Sequence, residues 1–169
     1  MDAERRLVLR AQSGDREAFD LLLRDVAPRL LGYVARVTAD RALAEDVVQE
    51  TLITIVKKIR WLHDPALFRA WAYRIASREA FRALRKRHAR IAEPLGEIAF
   101  VEERIDPWQR ERLLASLDRL SPASRAVITL HYIEELPLSE IAAILELSIG
   151  TVKSRLAYGL AQLRKEYCP

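Results

Sequence analysis

Apolar residues recur every three or four positions along most of the chain, which is the spacing of one face of an α-helix. No stretch alternates apolar and polar residues convincingly, as a half-buried β-strand does. The pattern therefore predicts an all-α fold. In the first half it predicts helices over residues 17–37, 41–60 and about 67–87. Ser13-Gly14-Asp15 and Asp40 are positioned as N-terminal caps, and Pro28 predicts a kink or break inside the first helix.

The second half has the same period and predicts four shorter helices, over residues 109–120, 122 to about 134, 139–145 and 149 to about 165. Ser121 precedes a proline at a first helical position, and Ser139 and Ser148 are the expected caps of the last two helices. Gly159 should weaken the last helix by about 1 kcal/mol.

Residues 91–107 separate the two halves and differ from both. They contain two prolines and a glycine and are acidic, which predicts a short linker. The chain is therefore expected to form two small helical domains, residues 1–90 and 108–169, joined by this acidic linker.

The last two predicted helices, separated by the three-residue turn 146–148, have the pattern of a helix-turn-helix. Small Ala142 and Ala143 should let the helices approach closely. Four apolar residues should form their shared core: Ile141, Leu145, Val152 and Leu156. The start of the second helix is where such motifs meet base edges and phosphates, and its polar residues are the candidate contacts: Thr151, Lys153, Ser154 and Arg155. An ordinary helical hairpin is the alternative.

Positive charge is concentrated in the third helix and its end. Residues 68–90 contain eight Lys or Arg and one acid, so this segment carries +7 in a chain whose net charge is +4. At 100° per residue, four arginines fall within about one-quarter of a turn: Arg74, Arg78, Arg82 and Arg85. Trp71 and Ile75 fall in or beside this arginine stripe, a combination suited to distorted or single-stranded DNA. The alternatives are a solvated face and burial of Trp71. Four residues should form the opposite, core face: Tyr73, Ala76, Ala80 and Leu84.

The second helix presents Asp46, Gln49, Glu50 and Ile53 on one face. This acidic face is either a solubilising surface or a docking site for a basic partner protein.

Composition argues against several other classes. A lone Cys168 excludes a disulfide framework, and His63, His88 and His131 lack metal-ligand spacing, so no metal or cofactor is expected. The sequence has no glycine-rich phosphate loop and no nucleophile with a local base, which argues against an enzyme. No apolar run approaches membrane-span length, so we expect a cytoplasmic protein without membrane insertion.

These pieces, in this order, resemble the extracytoplasmic-function (ECF) sigma factors of bacterial RNA polymerase. The stretches that carry the resemblance are AEDVVQE at 44–50, FRAWAYRIA at 68–76, LSP at 120–122 and GTVKSRL at 150–156. Each is weak alone, but together in this order they are a strong signal. The similarity spans about residues 14–164.

The resemblance implies that the first domain recognises and helps to melt the minus-ten promoter element, and that the second domain reads the minus-35 element. It implies that Asp46, Gln49 and Glu50 bind the clamp helices of the polymerase largest subunit, and that an anti-sigma protein is a further partner. Two alternatives stay open. One is a sigma-like decoy that binds only an anti-sigma protein, and the other is a stand-alone helix-turn-helix regulator.

Overall fold

The computed structural model describes residues 2–87 and 116–164, and within these ranges it contains helices and no strands. The α-helices are α1 (Asp2–Gln12), α2 (Arg16–Thr38), α3 (Arg41–Lys58), α4 (Phe68–Arg87), α5 (Pro122–Tyr132), α6 (Leu138–Leu145) and α7 (Ile149–Arg164). Short 3-10 helices cover Ile59–Trp61, Pro65–Leu67 and Leu117–Arg119. The all-α expectation is confirmed. The predicted linker at 91–107 and most of the helix predicted at 109–120 lie outside the described residues, so the domain boundaries stay a prediction.

The predicted caps of α2 and α3 are present. The Asp15 carboxylate accepts from the Ala18 N–H at 3.1 Å, and the Asp40 carboxylate accepts from the Leu43 N–H at 3.0 Å. The helix break expected at Pro28 is wrong, since α2 runs as one helix from Arg16 to Thr38. Buried residues on both sides of the proline hold α2 in the core and outweigh the lost backbone hydrogen bond: Leu22, Val26, Leu30 and Val34.

A buried polar chain joins α2 to α4. The Ser77 hydroxyl donates to the Tyr73 carbonyl at 2.7 Å and lies 2.7 Å from the Tyr33 hydroxyl, which is therefore the donor to Ser77. The rings of Tyr33 and Tyr73 meet edge to face, with centroids 5.3 Å apart. The predicted core face of α4 is confirmed, because its four residues are all buried: Tyr73, Ala76, Ala80 and Leu84.

Helix α1 was not predicted from the sequence. It packs on α2 and buries Val8 and Ala11, and its last residue reaches the end of α3. There the Gln12 side-chain amide donates to the carbonyls of Ile59 and Leu62, at 2.9 and 2.7 Å. Helix α1 thus fixes the chain as it turns from α3 towards α4.

The helix-turn-helix is formed by α6 and α7. Ile141, Val152 and Leu156 are buried as expected, and Leu145 is partly buried against the same core. Two details were wrong. Ala143, which was expected to let the two helices approach closely, is exposed, and the buried residue next to it is Ile144. Ser139 does not cap α6, which begins at Leu138 after the Pro137 carbonyl has accepted the first helical hydrogen bonds.

Helix α5 links the two halves of the molecule. Its eight residues from Ala123 to Leu130 are all buried, so every face of the helix is covered. It contacts α2 in the first domain and α6 and α7 in the second. One continuous apolar core therefore runs through both domains.

Gly159 has a packing role that the sequence did not indicate. A Cβ atom there would lie 2.6 Å from Ile128 Cδ1 and 3.4 Å from Ser124 Cβ. The missing side chain lets α7 approach α5 closely. The glycine, expected to weaken α7, thus permits the closest contact between these helices.

We expect Gly159→Ala to lower the free energy of unfolding by about 1 kcal/mol, because overpacking beside fully buried Ile128 exceeds the gain in helix propensity. Ile128→Val removes the obstructing Cδ1. The double variant should be more stable than the sum of the single effects predicts. Urea denaturation of all four proteins measures this coupling, and strictly additive effects would contradict the proposed clash.

The Ser148 hydroxyl accepts from the Thr151 N–H at 3.1 Å and so caps α7. Ser148→Ala should therefore lower the free energy of unfolding by about 1 kcal/mol. Ser139→Ala is the matched control, since α6 begins without a side-chain cap, and its effect should stay within about 0.5 kcal/mol. Equal losses in thermal or urea unfolding would count against the cap.

Candidate DNA-binding and protein-docking surfaces

The arginine stripe lies on α4. Arg82 and Arg85 are exposed near its C-terminal end, and Arg82 forms an ion pair with Glu79 one turn earlier. Arg74 is half-buried, and Arg78 is exposed but paired. The core face of α4 lies opposite, which directs the arginines outwards. The exposed C-terminal part of the stripe can meet a polyanion directly.

Neither Trp71 nor Ile75 is an exposed member of the arginine stripe. Trp71 is half-buried, with its ring centroid 6.2 Å from that of Phe68, and it packs on the core. Ile75 is 9% exposed and is part of the core, so it is not an exposed wedge in this arrangement. A helical wheel of α4 could not show this, since burial depends on the helices packed against it.

Arg78 contacts the other domain. Its Nε donates to Glu146 Oε2 at 2.8 Å, and a second guanidinium nitrogen pairs with the other carboxylate oxygen. Glu146 is the residue that follows α6 in the helix-turn-helix turn. Arg78 and then Arg74 hold the pKa of the Glu146 carboxyl below its usual range. No sequence pattern marks Glu146 as a contact residue, since it lies in the predicted three-residue turn.

The candidate contacts of the second domain lie in the first two turns of α7. Lys153 is exposed, whereas Thr151, Ser154 and Arg155 are half-buried. The Thr151 hydroxyl lies 2.8 Å from Ser148 Oγ, beside the helix cap. The Arg155 carbonyl accepts from the Ser124 hydroxyl of α5 at 3.4 Å, which ties α7 to the core. The N-terminal part of α7 thus presents polar groups from a helix whose opposite face is fixed.

The acidic face of α3 is fully presented to solvent. Asp46, Gln49 and Glu50 are exposed, and the same face continues into Ile53 and Val56, which are 37% and 50% exposed. Apolar residues of this size are ordinarily drawn inwards. Acids bordered by exposed aliphatic side chains form a surface suited to a basic partner with an apolar component.

Metal binding and membrane spanning find no support in the geometry of the described residues. Between residues 2–87 and 116–164, no three His, Cys, Asp or Glu side chains are grouped as a metal site would require. None of the helices in those ranges combines the length and the apolar character needed to cross a bilayer.

Two family patterns match the chain in order. Sigma-70 region 2 matches residues 22–90, and Sigma-70 region 4 matches residues 116–165. The first match spans α2, α3 and α4, and the second spans α5, α6 and α7. The surfaces on α3 and α4 therefore lie within the first matched region, and the surface on α7 lies within the second.

Proteins similar over most of their length agree with these matches. The chain is 32% identical over 162 residues to RNA polymerase sigma factor CarQ of Myxococcus xanthus, covering 92% of each protein. It is 35% identical over 144 residues to ECF RNA polymerase sigma factor SigL of Mycobacterium tuberculosis, covering 78% of each.

Solved structures show the same architecture. CnrH in complex with the cytosolic domain of CnrY superposes with a TM-score of 0.71 at 26% identity, covering 98% of this chain and 97% of that one. The sigma factor RpoE in complex with the anti-sigma factor NepR from Bartonella quintana gives 0.67 at 25% identity, covering 87% and 94%. With both regions matched in order and similarity spanning nearly the whole chain, the protein belongs to the extracytoplasmic-function family of RNA polymerase sigma factors, which act in transcription initiation.

Proposed function

We propose that this sigma factor directs core RNA polymerase to promoters through three separate surfaces. The acidic face of α3 docks the polymerase, α4 meets the minus-ten element and α7 reads the minus-35 element. The observation that carries the proposal is the ordered match of regions 2 and 4 in one chain. The arrangement of charge supports it, because the arginine stripe lies on α4 and the exposed acids Asp46 and Glu50 lie on α3.

For the minus-ten element, we assign the exposed arginines Arg78, Arg82 and Arg85 to phosphates near the melted segment, with Arg74 beside them. Guanidinium groups bind phosphate with two parallel hydrogen bonds, which suits a stripe along one strand. Trp71 is half-buried, so its role is to support the stripe or to stack after a rearrangement. Ile75 is assigned to the core.

For the minus-35 element, Lys153 and Arg155 are assigned to guanine or phosphate, and Thr151 and Ser154 to either bases or backbone. The firm attachment of α7 to α5 supports this role, since precise readout requires a fixed helix.

For the polymerase, we assign Asp46, Gln49 and Glu50 to the clamp helices of the largest subunit. Exposed Ile53 and Val56 extend this surface with apolar contact area. We propose that the protein acts in the cytoplasm and supplies binding energy rather than catalytic groups.

An anti-sigma protein is a proposed further partner, because the sigma factor RpoE is solved in complex with the anti-sigma factor NepR. This leaves open a decoy that binds only the anti-sigma protein. A decoy has no need of DNA-facing cations, and the exposed Arg82, Arg85 and Lys153 favour the initiating sigma factor.

If α3 docks the polymerase, Asp46→Arg with Glu50→Arg should weaken binding to core RNA polymerase by at least about tenfold, since the charges would face a cationic partner. Glu17→Arg with Asp20→Arg makes the same change in charge on exposed positions of α2 and should bind normally. Affinity is measured by fluorescence anisotropy, with circular dichroism as the check on folding. Equal affinities for the two variants would refute the assignment.

If α4 contacts promoter DNA, Arg82→Glu with Arg85→Glu should reduce open-complex formation by at least about tenfold while core binding persists, because two phosphate contacts become repulsive. Permanganate reactivity of thymines near the start site and run-off transcription provide the readout. The control is Arg5→Glu with Arg16→Glu, which changes charge equally at exposed positions outside the stripe. Wild-type protein that binds an anti-sigma protein but opens no promoter in a genomic library would favour the decoy.

A further inference from the structure

The turn of the helix-turn-helix places an acidic residue where the backbone favours glycine. Glu146 has φ 56° and ψ 45°, and its N–H donates to the Ala142 carbonyl as α6 ends. This left-handed conformation is usually taken by Gly or Asn, because a Cβ atom is strained there. Local backbone preference therefore does not explain a glutamate at this position.

The contacts of the Glu146 side chain account for a glutamate at this position. Both of its carboxylate oxygens pair with the Arg78 guanidinium on α4, 68 residues away in the sequence. The Arg74 charge adds to the attraction. A bidentate ion pair, with two parallel hydrogen bonds, is the stronger kind of carboxylate–guanidinium contact. The turn between α6 and α7 in the second domain is thus tied to the arginine stripe on α4 in the first domain.

The ion pair lies in a broader contact between the domains. Helix α4 packs along α6, and α2 packs along α5. Glu134, two residues after the end of α5, lies near Tyr73 of α4, where burial and this carboxylate raise the tyrosine pKa. The two domains are therefore held in a closed arrangement by apolar packing with an ionic contact on the exposed surface.

The proposed function, on which this inference rests, requires both promoter elements to be bound at once. The closed arrangement does not allow this. Positions minus-ten and minus-35 are about 25 base pairs apart, which is about 85 Å along B-form DNA. Helix α4 is only about 30 Å long at 1.5 Å per residue, and it touches α6 directly. The domains must therefore separate before both promoter elements are read.

We infer that Glu146 is an ionic latch that holds the second domain closed on α4 by occupying Arg78 in place of a promoter phosphate. Carboxylate and phosphate both accept two parallel hydrogen bonds from a guanidinium, so DNA and the latch compete for the same donor. While closed, the protein withholds Arg78 from DNA and keeps its two DNA-binding helices too close to span a promoter.

The latch is strong enough to bias the equilibrium and weak enough to be released. The Arg78 and Glu146 side chains are 61% and 48% exposed, so salt screens their attraction. Removing the pair should shift the ratio of closed to open protein by about two- to fivefold. A polyanion or a polymerase surface can supply more than this on binding.

The test measures the distance between the domains in the full chain, without DNA or polymerase. Dyes are attached to Ala42→Cys on α3 and Ser139→Cys on α6, both exposed, in a Cys168→Ser background. Single-molecule energy transfer then reports the closed and open populations. We expect wild-type protein to be mostly closed at low salt, and the ratio of closed to open protein to fall by about two- to fivefold as salt is raised.

Glu146→Gly relieves the strained turn and removes the carboxylate, and Glu146→Gln removes only the charge. Both should shift the population towards the open form by two- to fivefold. The charge swap Arg78→Glu with Glu146→Arg should restore closure. Two control variants should leave the ratio of closed to open protein unchanged. Ala39→Gly relieves a left-handed backbone conformation and changes no charge, and Glu45→Gln breaks an ion pair within α3.

The latch is refuted if the domains stay apart at every salt concentration. It is also refuted if Glu146→Gly and Glu146→Gln behave like the controls. A closed population that depends on salt and on Glu146 supports the latch even if run-off transcription fails. The latch and the proposed function can therefore fail separately.

Discussion

The burial of α5 on every side is the constraint on which the arrangement of the molecule depends. A helix buried on every face has to be covered by neighbours, and α5 meets this need by contacting α2 on one side and α6 and α7 on the other. Gly159 lets α7 approach closely, which fixes the recognition helix relative to α5. The position of the DNA-reading surface in the second domain thus follows from apolar packing between helices.

Electrostatics determine how the remaining surfaces are used. Four arginines of α4 are gathered on a face opposite its core, which would be costly unless acids or a polyanion lay close. In this structure acids from several parts of the chain provide the balance. Glu4 and Asp25 lie by Arg69, Glu146 by Arg78 and Glu79 by Arg82. On α3, Asp46 and Glu50 are exposed, and we propose that they stay available to a basic partner.

These two features together make closure and promoter binding alternatives. Apolar contact between α2 and α5 favours closure, and the Glu146 carboxylate takes an arginine that DNA would otherwise use. Opening exposes part of the shared core, which is unfavourable in free energy. A polymerase or a second protein could stabilise the open form by covering the same surfaces. A sigma factor that closes as we propose would be quiescent alone and competent on its partner.

The sequence by itself determined the described α-helices other than α1, most of their caps and the family. Helical period, the aspartate caps of α2 and α3, the core face of α4 and the helix-turn-helix pattern all depend on residues close together in the chain, so they could be predicted. Contacts between distant residues could not. Continuous α2 at Pro28, burial of Ile75, the close approach at Gly159 and the pair of Arg78 with Glu146 depend on which helices meet. Tertiary structure decided these features, because packing energy between helices exceeds local preference and no periodic pattern records which faces come together.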